Sequence, residues 1–291
     1  MDNIKNPTNY REQVDILMSR GLTIDNVEYA EKILSRVSYY RLTGYLYQYK
    51  YDQDNYKFPE GFTFESVYKM YSFDVRLRNI LLYIFEEIEI ILKTRIAYIH
   101  ADIYGALGYK DGNNFRSKQE HNVMVKMIDS SIERNKSIKF VKHHTEKYDS
   151  QFPIWVIIEL FTFGMIDKFY SNINSKEQKV IAKSFGILPD NLKGWLQLLT
   201  HCRNLAAHYM RLYNYNFPYT PNLKIKNSPR IEASHKVFDV LYISKFIYQD
   251  VEQWNTYVLE NISSLLEKYD DCIDLEYIGF DENWRKNLKN I

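Results

Sequence analysis

The chain has 291 residues, 45% of them apolar and 26% charged, with a formal net charge of +1. That balance is ordinary for a water-soluble globular protein and gives no overall field to draw in a polyanion. Only two cysteines are present, too few for a disulfide framework or a cysteine-built zinc site. No run reaches the roughly 18 continuous apolar residues of a membrane helix, and the first residues lack the apolar stretch of a secretory leader. We therefore expect a soluble, cytoplasmic protein with no membrane partner.

The aromatic content is what stands out: 16% of the residues, with 26 tyrosines. A tyrosine buries its ring and keeps a polar tip, so helix packing accounts for most of them. The alternative for exposed rings is stacking against the bases of single-stranded RNA.

In chain order, residues 10–20 and 26–37 read as two short helices, the first stopped by Gly21 and the second capped by Asp25 or Asn26. No basic second helix follows, which argues against a DNA-reading helix-turn-helix. Residues 39–51 are crowded with tyrosine; Gly44 breaks any long helix there. Arg41, the charge at the centre of that segment, is expected to tie it to a core carboxylate, with a phosphate contact as the alternative. Residues 52–62 form a turn-rich link. Thr63 opens a helix reaching His100, with a break near Phe73 and apolar residues recurring at helical spacing from Leu77 to Ile99. Local ion pairing accounts for its charged residues, Arg78 among them.

Residues 101–115 carry three of the ten glycines and read as a loop, with no glycine-rich phosphate cradle. Residues 117–135 and 138–148 read as basic helices. Between positions 116 and 147 there are eight Lys or Arg against four Asp or Glu, whereas 250–282 hold ten acids and one base. Segregated charge of this kind can build a local phosphate-attracting patch, for which Lys126, Lys139 and Lys142 are candidates. His121, His143 and His144 lack metal-ligand spacing, so neither a metal nor another cofactor is expected. Residues 154–163 read as a buried apolar helix whose one carboxylate, Glu159, needs a partner such as an arginine. Gly164 allows a turn, and two helices, 165–172 and 176–185, follow.

Residues 192–215 carry the densest pattern. Leu192, Trp195, Leu196, Leu199, Cys202, Leu205, Ala206 and Tyr209 form an apolar helical stripe, with Pro189, Asp190 and Asn191 as start signals. Arg203, Asn204 and His208 fall off the stripe and spell R-N-x-x-x-H. Beyond it, an irregular stretch with Lys224, Lys226 and Arg230 could close over a substrate. Residues 236–268 return to helix, and the acidic tail 269–291 offers Phe280 and Trp284 as docking anchors. With almost no strand-like alternation, the class is all-α.

The R-N-x-x-x-H spacing on a late helix resembles the signature of HEPN ribonucleases. SYYRLTGYLYQY (38–49), the stretch from Tyr71 to Tyr109 and IGFDENW (278–284) resemble the Abi-like family, the abortive-infection proteins of bacterial phage defence. The resemblance implies an all-helical HEPN-like bundle over 63–268, with an N-terminal helical, tyrosine-rich segment (1–62) packed on it and a C-terminal docking tail (269–291). It implies a bacterial, cytoplasmic, metal-independent RNA endonuclease, a toxin of abortive infection or of a toxin–antitoxin pair. Arg203, Asn204 and His208 would be catalytic, and Arg41, Arg211, Lys224 and Lys226 would join the three lysines above on RNA. Arg95 and His100 repeat the R-x-x-x-x-H spacing and are a possible second motif.

Arg203 and His208 lie about 140° apart around a helix and about 7.5 Å apart along it, so one copy poorly supplies both acid and base to one phosphate. The expectation is a homodimer that pairs two such ends. The alternative function is a non-catalytic module that binds or senses a small regulatory RNA.

Overall fold

One helix, α4 (Phe64–Tyr104), organises the molecule. Its 41 residues span about 60 Å without the break expected near Phe73. Phe73 is instead fully buried, and the helix continues four residues past His100. Thr63 caps its start by accepting from the amide of Ser66, and Gly105 ends it with φ +77°. The computed structural model describes residues 6–49, 57–58, 61–225 and 231–290. Lys226, Arg230 and most of the expected link 52–62 lie outside them.

Before α4 come α1 (Tyr10–Ser19), α2 (Val27–Leu34) and the short α3 (Tyr39–Thr43), which continues as a 3-10 turn through Tyr49. Asn9 and Asn26 cap the first two. After α4 follow α5 (Lys118–Arg134), α6 (Lys139–Lys147), α7 (Ile154–Ile157), α8 (Phe163–Asn172), α9 (Ser175–Ser184) and α10 (Pro189–Ala207). The chain then returns through α11 (Val237–Tyr248), α12 (Val251–Gln253), α13 (Leu259–Lys268) and α14 (Trp284–Leu288). Helices α7, α8, α9, α10, α11 and α13 all pack against α4. No strand forms among the described residues, which show only two isolated bridges, Thr23–Thr63 and Phe115–Ile173. The expected all-α class is what the chain adopts.

Two segments depart from the continuous helices expected of them. Residues 154–163 are not one buried helix: α7 tightens into a 3-10 turn at Ile158–Leu160, and Thr162 then caps α8. Glu159 is exposed, on the same face as the open Trp155 ring four residues earlier, so it needs no arginine; its backbone carbonyl accepts from Lys93 Nζ at 3.3 Å. Lys93 itself pairs with Glu89 at 2.9 Å. Likewise 236–268 is not continuous: Gln249 takes φ +65°, a π-helical turn follows at Trp254–Val258, and only then does α13 begin. Glutamine is no helix breaker; the mark in the sequence is Asp250, which caps α12 by accepting from Gln253 N at 2.8 Å.

Candidate functional site

Helix α10 is laid down by its apolar stripe. Leu192, Trp195, Leu196, Leu199, Cys202 and Ala206 are fully buried, while Asn204 and His208 are exposed and Arg203 is half-buried. Pro189 at the first helical position suits the start, since its missing N–H has no partner there anyway. The expected stripe fails at its last member. Tyr209 is 67% exposed, because the helix has already ended at Ala207.

The way it ends fixes the site. Met210 N donates to Leu205 O at 2.9 Å and Tyr209 N to Ala206 O at 3.1 Å. This is the Schellman arrangement, whose αL position normally takes glycine. Here Tyr209 takes it, with φ +59°, a conformation costing a non-glycine residue roughly 1–2 kcal/mol. Such a residue persists only where its surroundings over-determine it. They do so here: Arg41 donates to the carbonyl of Tyr209, and Arg78 Nη1 to that of Met210 at 3.2 Å. Arg211 donates to the carbonyl of Gly44, its guanidinium 5.9 Å from the Tyr45 ring centroid.

Beneath the strap formed by residues 209–214 lies a buried carboxylate that no local pattern marks. Asp74, 0% exposed, accepts from Tyr45 Oη at 2.6 Å, Arg78 Nη1 at 2.5 Å, Leu212 N at 3.2 Å and Tyr213 N at 3.0 Å. Burial pushes its pKa up, opposed first by the Arg78 charge and then by the three other donors. Asn214 N donates to Tyr277 O at 3.1 Å, and Asp274 N to Tyr213 Oη at 2.8 Å. Elements far apart in sequence therefore converge on residues 209–214: the tyrosine-rich 39–49 segment, α4 and the C-terminal tail. Arg41, expected on a core carboxylate, instead holds a carbonyl one residue beyond His208.

Around the exposed end of α10, Arg203 Nη1 lies 3.4 Å from Asn204 Oδ1. Arg41, Arg203 and Arg211 give this end positive charge, and Lys236 is close enough to Arg211 for the two to repel. His201 was not singled out by the sequence reading. It lies seven residues before His208, a rotation of about −20°, and so shares its face of the helix. Its Nε2 is 2.9 Å from Tyr215 Oη, the rings of Tyr215, Phe217 and Tyr219 surround it, and burial lowers its pKa. The i, i+7 spacing to His208 was the signal that could have found it.

The other candidates lie elsewhere. Lys126, Lys139 and Lys142 are exposed on α5 and α6; α5 packs on α8 rather than forming a wall beside His208, and Lys142 faces Glu146 at 3.7 Å. Lys224 is exposed, but its carbonyl accepts from Asn191 at the start of α10, about 25 Å along the helix from His208. Trp195 Nε1 donates to Asn222 O at 3.0 Å and holds the same loop there. The second spacing is split between surface and core. Arg95 bonds the carbonyl of Ser184 and Gln249 Oε1 (2.7 Å) and covers the Phe185 ring, whereas His100 is 0% exposed with Nδ1 2.8 Å from Glu177 Oε1. His121 Nε2 lies 2.8 Å from Tyr109 O, and His144 stacks on Phe152. No helix among the described residues is long and apolar enough to cross a membrane.

No curated protein and no solved structure matches the chain. The model of the Abi-like protein family matches residues 32–214, from the end of α2 to the last residue of the strap. That is more than half of the chain and takes in the tyrosine-rich segment, α4, the R-N-x-x-x-H helix and its pinned end. The protein belongs to the Abi-like family, which places it with the proteins of abortive infection, a form of phage defence.

Proposed function

We propose that this protein is a metal-independent RNA endonuclease that acts in phage defence by arresting the infected cell. The observation that carries the reading is the pinned, arginine-rich end of α10, where Arg203, Asn204 and His208 reach solvent together. Metal-free cleavage needs a base for the 2′-hydroxyl, an acid for the leaving 5′-oxygen and a fixed cation for the phosphorane. His208 takes the 2′-hydroxyl proton as O2′ attacks phosphorus and the P–O5′ bond breaks. Arg203, always charged and able to bond phosphate twice, stabilises the pentavalent state. Asn204, whose side chain meets Arg203, orients it or the sugar. The 5′-oxygen takes its proton from a second histidine, supplied by the same helix end of another copy in a homodimer. The products are a 2′,3′-cyclic phosphate and a 5′-hydroxyl.

The test is growth of bacteria expressing wild type, His208→Ala or Arg203→Ala, with the 3′ ends of total RNA mapped. We expect arrest and cyclic-phosphate ends in wild type, and a loss of both by at least 100-fold in either variant. RNA cleaved equally by all three proteins, or cleaved to 3′-hydroxyl ends, refutes the assignment. A variant that still binds RNA as wild type does, where wild type neither arrests growth nor cuts, favours a module that senses a small regulatory RNA.

A further inference from the structure

The N-terminal segment carries a groove that the R-N-x-x-x-H reading does not use. It lies between α1 and the α2–α3 corner and encloses about 790 Å³, within the range of ligand-binding clefts. Its walls present Tyr10, Tyr39, Tyr40 and Tyr47 together with Arg20 and Arg36, and no acidic side chain lines it among the described residues. Tyr40 is 81% exposed, Tyr47 67% and Tyr10 48%. What sets these three rings apart from the other exposed aromatics is that they share one concavity. Arg20 Nη1 donates to Tyr39 Oη at 2.5 Å, and the Tyr39 ring meets Tyr40 edge-on, its centroid 5.7 Å away, so the platform has a fixed side.

We propose that this groove binds single-stranded RNA, the tyrosine rings taking bases by stacking and Arg36 taking a backbone phosphate. The chemistry selects that ligand. Aromatic faces accept any base, the exposed Arg36 matches a polyanion, and no acid among the described lining residues opposes it. A duplex has no free base faces to offer these rings.

Position supports the assignment. The groove wall runs along α3 into Gly44, and the far side of that wall is bonded to the strap: Arg41 to the carbonyl of Tyr209, Arg211 to that of Gly44. A strand lying in the groove therefore runs along the segment whose Arg41 bonds the residue after His208. Taking RNA as the strand rests on the nuclease reading.

The test uses full-length His208→Ala protein, so that binding is read without cleavage, and a fluorescein-labelled 12-mer of oligouridylate followed by anisotropy. Tyr40→Ala should weaken binding about tenfold, and Tyr40→Trp should keep it near the parent value, because stacking and not the hydroxyl is required. Arg36→Gln should reduce the slope of log affinity against log salt by about 0.7, the share of one phosphate on a single strand. A Tyr40→Ala/Tyr47→Ala protein within twofold of its parent overturns the proposal, as does a parent that does not bind the oligomer. The two readings fail separately. Unchanged binding in the groove variants with RNA still cut by the His208-intact protein removes the groove alone. Lost binding in the variants with no cutting by the intact protein keeps the groove and removes the nuclease.

Discussion

Replacing Asp74 by leucine tests what holds the end of α10. The carboxylate closes four hydrogen bonds, to Tyr45, Arg78 and the amides of Leu212 and Tyr213, in a place with no access to solvent. Leucine keeps the branched shape with no polar atoms, its extra volume adding to the cost in so tight a place. What remains is an arginine 4% exposed with its anion gone, and two amides and a hydroxyl without an acceptor. Breaking a buried pair from one side costs about 3–5 kcal/mol, a large part of the roughly 5–15 kcal/mol that holds a domain together. For a chain of this size that lowers Tm by about 6–20 °C. Urea unfolding followed by circular dichroism measures the cost, and amide exchange at Leu212 and Tyr213 reports the strap directly. The Arg78→Met variant and the Asp74→Leu/Arg78→Met pair complete a cycle. The double variant should be at least about 2 kcal/mol more stable than the two single costs added together, because no charge is then left uncompensated. Strictly additive costs, or an Asp74→Leu protein within about 1 kcal/mol of wild type, refute the argument.

Two further outcomes follow from single residues. Gly279 takes φ +81°, and a Cβ there would stand 2.4 Å from Ser234 Oγ and 2.8 Å from Lys236 Cβ; Gly279→Ala should cost about 2–4 kcal/mol by thermal unfolding, and a cost below 1 kcal/mol would contradict it. Burial raises the Asp167 carboxyl to about 6 from an ordinary 3.8. The folded chain then holds a proton that the unfolded chain has lost, so this group's contribution is full below pH 4 and falls as pH rises towards 6. Asp167→Asn should therefore raise stability at pH 7 by about 1–2 kcal/mol, a value discounted for its partial exposure, and flatten the urea midpoint between pH 4 and 6. An unchanged pH profile would refute the assignment.

Much of the helical frame could be read from the sequence, because apolar spacing and caps are local. The α10 stripe is one case: Leu192 to Ala206 are buried where a 3.6-residue period puts them. The places where reading failed are those where a distant partner or a turn geometry decides. Asp74 looks like one more charge on a long helix until residues 212 and 213, more than a hundred positions away, bring it their amides. Glu159 lies on the face of Trp155, which the fold leaves open to solvent although the run around it is apolar. Tyr209 continues the apolar period perfectly well, and it is exposed because the helix stops two residues earlier. Arg203, Asn204 and His208 were legible as polar residues off a buried stripe, whereas what clamps their neighbourhood was not. His201 was within reach of the same reasoning, through its spacing to His208.

The separation of Asp74 from the strap also sets an order of events during synthesis. At about 5–20 residues per second, the 138 residues between Asp74 and Leu212 take about 7–28 s to make. For most of that interval the whole sequence of α4 has been made while the amides that close its buried pair have not. The growing chain contains Arg203 and His208 before it contains residues 212 and 213. A ribosome that stalls between those points releases a polypeptide that carries the R-N-x-x-x-H sequence on an unclamped helix end. Translation past residue 213 is thus a condition for the geometry at His208, built into the order of the residues along the chain.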